Sequence, residues 1–210
     1  MKNATKHADA LKALAKKVIR DFKPVPLETQ EPVRGLVRAI SSFNVSDAKA
    51  DEAMKIVDRE FVDLNELRVA TELEVQEIIG NRFPEIEKRS TMISQLLNSV
   101  FEREHTMHLN RLTELGKREI RQYLREMPEQ TPFVEAYIML FCFDGHAFPV
   151  DEDTHDFLKE EGVLEEETTL EDAQKFVEHQ LKAEECYEFF AALRKGLYEG
   201  GLKKKKKVKA

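Results

Sequence analysis

The residues most informative about chemistry lie in one stretch, Met127 to His155, which holds Glu129, Asp151, Glu152 and Asp153 together with His146 and His155. Carboxylates and imidazoles can move a proton to or from a reacting group when they are placed within hydrogen-bond reach of it. Asp151 falls where Gly-His-Ala-Phe-Pro-Val-Asp opens a helix. An aspartate there can serve a reaction, or it can simply cap the helix, for which Asp is a preferred residue.

Other chemistries find little support. His105 and His108 lie three residues apart on a polar segment with no third ligand near, so no metal is expected. There is no phosphate loop, no Gly-x-Ser-x-Gly elbow and no Cys/His dyad at readable spacing. The two cysteines, Cys142 and Cys186, sit in apolar helical contexts and read as reduced core thiols. Two thiols cannot hold a four-cysteine iron–sulfur cluster, and no cofactor is expected.

The elements that must position these residues are helices. Leu11, Leu14, Ala15, Val18 and Phe22 recur at helical spacing, as do Val33, Leu36, Val37 and Ile40, and no stretch alternates with period two. Thr71-Glu72-Leu73-Glu74 forms a capping-box pattern closed by Gly80, and Thr169-Leu170-Glu171-Asp172 is a weaker start of the same kind. Pro24, Pro26 and Pro32 mark an irregular link, Ser46 or Asp47 caps a helix over Ala48 to Val57, and Gly200-Gly201 ends the folded part. About ten helices follow, an all-α fold over residues 1–202, with 203–210 as a basic disordered tail.

Composition limits the partners. With 41% hydrophobic and 35% charged residues among 210, and no apolar run of the length a spanning helix needs, the chain reads as a soluble cytoplasmic protein and a monomer, with no membrane partner. Of its 33 basic residues six are Lys203 to Lys207 and Lys209, which leaves 27 against 40 acidic ones. The body is therefore acidic and the tail basic. A duplex-binding protein gains affinity largely from neutralised phosphates; this chain either gets that from its tail alone, through Lys203, Lys204, Lys205, Lys206 and Lys207, or does not bind duplex strongly.

An amphipathic helix from Lys117 to Met127, a hairpin begun by Pro128, an apolar helix from Pro132 to Phe143 and the segment ending in Val150-Asp151 together resemble the helix-hairpin-helix DNA glycosylases of the endonuclease III superfamily. There the pattern is Leu-Pro-Gly-Val-Gly-x-Lys-Thr-Ala, an apolar helix, and Val-Asp-x-His. Pro128 and Asp151 stand 23 residues apart, which needs no gap against the usual spacing. The resemblance implies a two-lobed fold, with residues 32–140 as the first lobe and 1–31 with 141–199 as the second. It also implies base excision from double-stranded DNA in DNA repair, with Asp151 activating water or stabilising the charge that develops on the sugar as the base leaves. Gly162, 11 residues on, falls where that helix often ends, which favours Asp151 over the literal Asp153-Thr154-His155 register.

Several parts of the pattern are missing. Phe133 stands where bifunctional members carry the Schiff-base lysine, so the implied enzyme is monofunctional, a hydrolase without lyase action at that position. Glu129-Gln130-Thr131 replaces Gly-Val-Gly, so an altered hairpin is expected there, with Gln130 and Thr131 as the remaining phosphate-facing candidates. Ser42-Phe43-Asn44-Val45-Ser46-Asp47 resembles the family's Ser-Gln-Asn-Thr-Ser-Asp segment, which places Asn44 where an amide helps fill the gap left by a flipped base. Glu152, Asp153 and Asp156 crowd Asp151 with charge that repels phosphates. The alternative is an inactive descendant that keeps the fold to bind nucleic acid or protein.

Overall fold

A computed structural model describes residues 4–202. Among them lie eleven α-helices, one 3-10 turn at Asn110–Glu114 and no strand. In chain order they are α1 (Ala4–Phe22), α2 (Pro32–Ser42), α3 (Asp47–Glu60), α4 (Leu64–Val69), α5 (Glu72–Ile79), α6 (Ile86–Glu104), α7 (Lys117–Arg125), α8 (Pro132–Cys142), α9 (Glu152–Glu160), α10 (Leu170–Gln180) and α11 (Ala183–Tyr198).

Local chemistry sets most of these ends. The Glu31 carboxylate accepts from the N–H groups of Val33 and Arg34 ahead of α2, whose first residue Pro32 has no N–H to satisfy. Ser46 caps α3, Thr169 caps α10, and Thr71 with Glu74 closes a reciprocal capping box on α5, which stops at Gly80 with φ 98°. Helix α7 ends at Arg125, two residues short of the expected Met127. The Met127 N–H bonds instead to the Leu124 carbonyl, a tighter turn that suits a residue followed by Pro128.

The chain divides into two compact units, one formed by residues 28–145 and the other by residues up to 27 together with those from 146 on. In the continuous unit, α2 packs against α3, α6 and α8. Val33, Leu36, Val37 and Ile40 are fully or almost fully enclosed, and α8 is apolar nearly all round. Gly35 lets α2 and α8 approach closely: a Cβ there would stand 2.5 Å from Cys142 Sγ and 3.1 Å from Ile138 Cδ1. Alanine at a helical glycine ordinarily gains up to about 1 kcal/mol. Gly35→Ala is nevertheless expected to cost about 1–3 kcal/mol in denaturant unfolding, from overpacking, and adding Cys142→Ala should recover most of that loss.

In the split unit, α1 lies against α11 and buries Leu11, Leu14, Ala15 and Val18. Phe148 stacks on Phe189 at 5.4 Å and meets Phe190 edge-on at 6.0 Å. His7 Nδ1 stands 3.2 and 3.1 Å from the carbonyl oxygens of Gly162 and Val163, which ties α1 to the turn after α9. At the other end of α1, Phe22 lies against Gly196 and Gly201, where a Cβ would come within 3 Å of its ring.

Candidate functional site around Asp151 and the hairpin

Asp151 occupies the N-cap of α9 with extended backbone, and its Oδ1 accepts the N–H of Thr154 at 2.8 Å. Its Oδ2 accepts from Arg194 Nη1 at 3.0 Å. Both side chains are enclosed, at 0% and 1% exposure. The Arg194 guanidinium lies over the rings of Phe190 and Tyr198, 5.5 and 5.1 Å from their centroids. The Tyr198 hydroxyl donates to Asp153 at 2.7 Å and stays 3.5 Å from Asp151. Burial, then the Asp151 charge and the bond to Asp153, push the Tyr198 phenol well above its ordinary pKa.

This is a buried ion pair with a helix terminus and two aromatic faces around it. Such a pair adds modest net stability as a whole, but removing either partner strands a charge out of water. The two histidines of the stretch fasten loops: His155 Nε2 lies 2.7 Å from the Thr168 carbonyl and His146 Nε2 lies 2.9 Å from that of Leu181. Cys142 and Cys186 are buried, and desolvation pushes both thiols up to about 12, which makes them poor nucleophiles.

The hairpin belongs to the continuous unit. Thr131 caps α8 through the N–H of Val134, and Phe133 is core, edge-on to Phe43 at 5.3 Å. Glu129, the first residue of the Glu129-Gln130-Thr131 hairpin, takes a left-handed backbone with φ 53°. A non-glycine residue in that conformation costs about 1 kcal/mol. Both polar atoms of the Gln130 amide are buried without a hydrogen bond. Glu135, one turn into α8, takes Arg121 at 2.8 Å and Arg125 at 2.7 Å from α7, so these arginines face a carboxylate of their own unit.

Asn44 also adopts a left-handed backbone, φ 51°, in the turn from α2 to α3. Arg89 of α6 holds that turn, donating to the carbonyls of Phe43 at 2.8 Å, Pro84 at 2.7 Å and Ile40. Phe43 and Thr131, with Ile40, Met92 and Val134, line a cavity of about 100 Å³. The neighbours of Asn44 and of Gln130 therefore meet within one unit, whereas Asp151 lies in the other. Lys203 to Lys207 lie outside the described residues. Sequence reading missed Arg194 and Tyr198; the available signal was an arginine placed four residues after Phe190 in an otherwise apolar helix face.

No group of histidine, cysteine and acidic side chains suited to a metal occurs among the described residues. No family model and no curated protein matches the chain. Solved structures do. Endonuclease III, trapped as a covalent intermediate with DNA, aligns with TM-score 0.68 at 15% identity over 93% of this chain and 86% of its own. The 3-methyladenine DNA glycosylase of H. pylori, bound to 1,N6-ethenoadenine, aligns with TM-score 0.69 at 13% identity over 93% of this chain and 99% of its own. At such identities the likeness is one of architecture, and on it the chain has the all-helical fold of the helix-hairpin-helix DNA glycosylases.

Proposed function

We propose that this protein binds DNA with a glycosylase fold and that its Asp151 serves the fold and not base excision. The observation that carries this reading is the Asp151–Arg194 pair, enclosed at 0% and 1% exposure and shared with the N-terminus of α9. A carboxylate that activates water or steadies a sugar cation must come within contact of the reacting atoms. Both oxygens of Asp151 are instead engaged by Thr154 and Arg194 of its own unit. Phe133 gives no amine for an imine, so strand cleavage through that position is absent on any reading.

A second reading, monofunctional base excision, is favoured by one observation: Asp151 stands 23 residues after Pro128 and heads a helix, as the resemblance requires. A panel of duplexes with one lesion each separates the two. The proposal expects duplex binding without release of any base. Single-turnover release by the wild type that falls about 10²-fold or more in Asp151→Asn, but stays within a fewfold in Asp153→Asn, would establish excision and overturn the proposal.

A further inference from the structure

We propose that the cavity bordered by α3, the end of α5 and the turn leading into α6 is a nucleotide pocket, which takes one unstacked nucleotide of the DNA this protein binds. The inference rests on the DNA-binding reading above and gives it a site that neither the hairpin nor Asp151 supplies.

The cavity holds about 310 Å³ and lies wholly within residues 28–145. Its apolar lining comes from Ala53 and Ile56 of α3, Ile79 of α5, and Phe83. Phe83 and Ala53 also belong to a small core with Val45, Ala50 and Ile86, so this wall is backed by packed side chains. Lys49 and Arg82 line the same cavity, both exposed, and among the described residues neither pairs with a carboxylate. The Lys49 ammonium stands 5.9 Å from the centroid of the Phe83 ring, which holds it at the cavity. The turn that carries Arg82 closes through the Phe83 N–H, which donates to the Gly80 carbonyl at 2.9 Å. Within that turn the N–H groups of Asn81 and Arg82 find no acceptor among the described residues. Two unpaired cations and two unused amide donors thus border an apolar floor, against the one carboxylate of Glu52.

A ligand that fits has an anionic end for the cations and a flat, apolar body for the floor. Where a protein binds DNA, the group of that description is a nucleotide out of the stack. Its phosphate meets Lys49, Arg82 and the amides of the turn, and its base, which presents a π-face whatever the sequence, leaves water against Ile56, Ile79 and Phe83. A base held in a duplex cannot reach that floor, whereas an unpaired one costs least to take out of the stack. A larger cavity of the same unit, about 360 Å³, does not compete for such a ligand: Glu31, Asp58 and Asp63 line it, and its Arg34 is already held by Asp58 at 2.7 Å. Arg89 links the pocket to the turn of Asn44, because its guanidinium lies 5.6 Å from the Phe83 centroid and donates to the Phe43 carbonyl at 2.8 Å.

The test is fluorescence anisotropy of the full chain on two labelled DNAs, a flush duplex and the same duplex with one extra, unpaired nucleotide. Three proteins are compared: the wild type, Lys49→Gln/Arg82→Gln, and a control Lys12→Gln/Lys16→Gln in the other unit with the same change in charge. The wild type should bind the bulged duplex at least about tenfold more tightly than the flush one. Lys49→Gln/Arg82→Gln should lose that preference, and the control should keep it whatever happens to its overall affinity. Equal binding of both DNAs by the wild type would overturn the proposal while leaving DNA binding in place. A preference that survives in Lys49→Gln/Arg82→Gln would put the unpaired nucleotide elsewhere, and one lost equally in the control would reduce it to net charge; either result overturns the proposal. Binding of deoxyadenosine monophosphate that depends on Lys49 and Arg82, with no preference between the DNAs, would make the cavity a small-molecule site, against the proposal. A wild type that binds neither DNA would sink the DNA-binding reading itself.

Discussion

Asp151→Asn is expected to destabilise the split unit by about 3–5 kcal/mol, lowering its melting temperature by roughly 10 °C or more. Asparagine still caps a helix, so the loss isolates the charge. Arg194 would be left at 1% exposure with no full countercharge at 3.0 Å. Arg194→Met should cost a similar amount, and the double variant Asp151→Asn/Arg194→Met should be more stable than either single one. Urea unfolding followed by circular dichroism measures the cycle. Additive losses in the double variant would mean the pair carries no special energy. Asp153→Asn weakens the hydrogen bond that Asp153 accepts from Tyr198 and should cost about 1 kcal/mol.

Alkaline pH tests the same cluster. The Tyr198 pKa is raised in the folded state, so its contribution is complete below the unfolded value near pH 10 and is lost progressively as pH rises beyond it. Tyr198→Phe should therefore make stability less steeply dependent on pH above about 10. An unchanged slope there would detach Tyr198 from the ion pair.

Arg89→Met is expected to cost the continuous unit about 3 kcal/mol or more, because it leaves carbonyls of Ile40, Phe43 and Pro84 without their donor in a site where Arg89 is 3% exposed. Arg89→Lys should recover little: one ammonium cannot span three carbonyls that a planar guanidinium reaches from its fork. Beyond stability, the turn at Phe43 and Asn44 should loosen, and amide hydrogen exchange at Asn44 and Val45 should quicken more than in α3. A uniform change across the unit would mean that Arg89 acts on global stability alone. Any DNA contact made by Asn44 would weaken along with that turn.

The local grammar of this chain was readable in advance. Thr71, Gly80, Ser46 and Thr169 announce their helix ends because capping depends on a few neighbouring atoms, and the helical spacing of Val33 to Ile40 announces the buried face of α2. The cap at Asp151 was readable for the same reason. Its partner was not, since Arg194 lies 43 residues away and only the fold brings the two together. The hairpin shows the opposite limit. Residue type disfavours a left-handed backbone at Glu129, which nonetheless takes φ 53° in the connection between α7 and α8. Charge summed over the chain hid the basic face of α1, because a total does not record which side of a helix carries its lysines.

The order in which the chain emerges gives its discontinuous unit a cost in time. Residues 28–145 carry all the sequence of their own unit and can close as soon as they have been made. Helix α1 has no such opportunity, because Leu11, Leu14 and Val18 are covered through α11, which begins at Ala183. At synthesis rates of about 5–20 residues per second, α1 waits roughly 10–30 s with an apolar stripe uncovered. Its exposed lysines, Lys12, Lys16 and Lys17, keep that waiting helix soluble and guard the nascent chain against sticking to its neighbours.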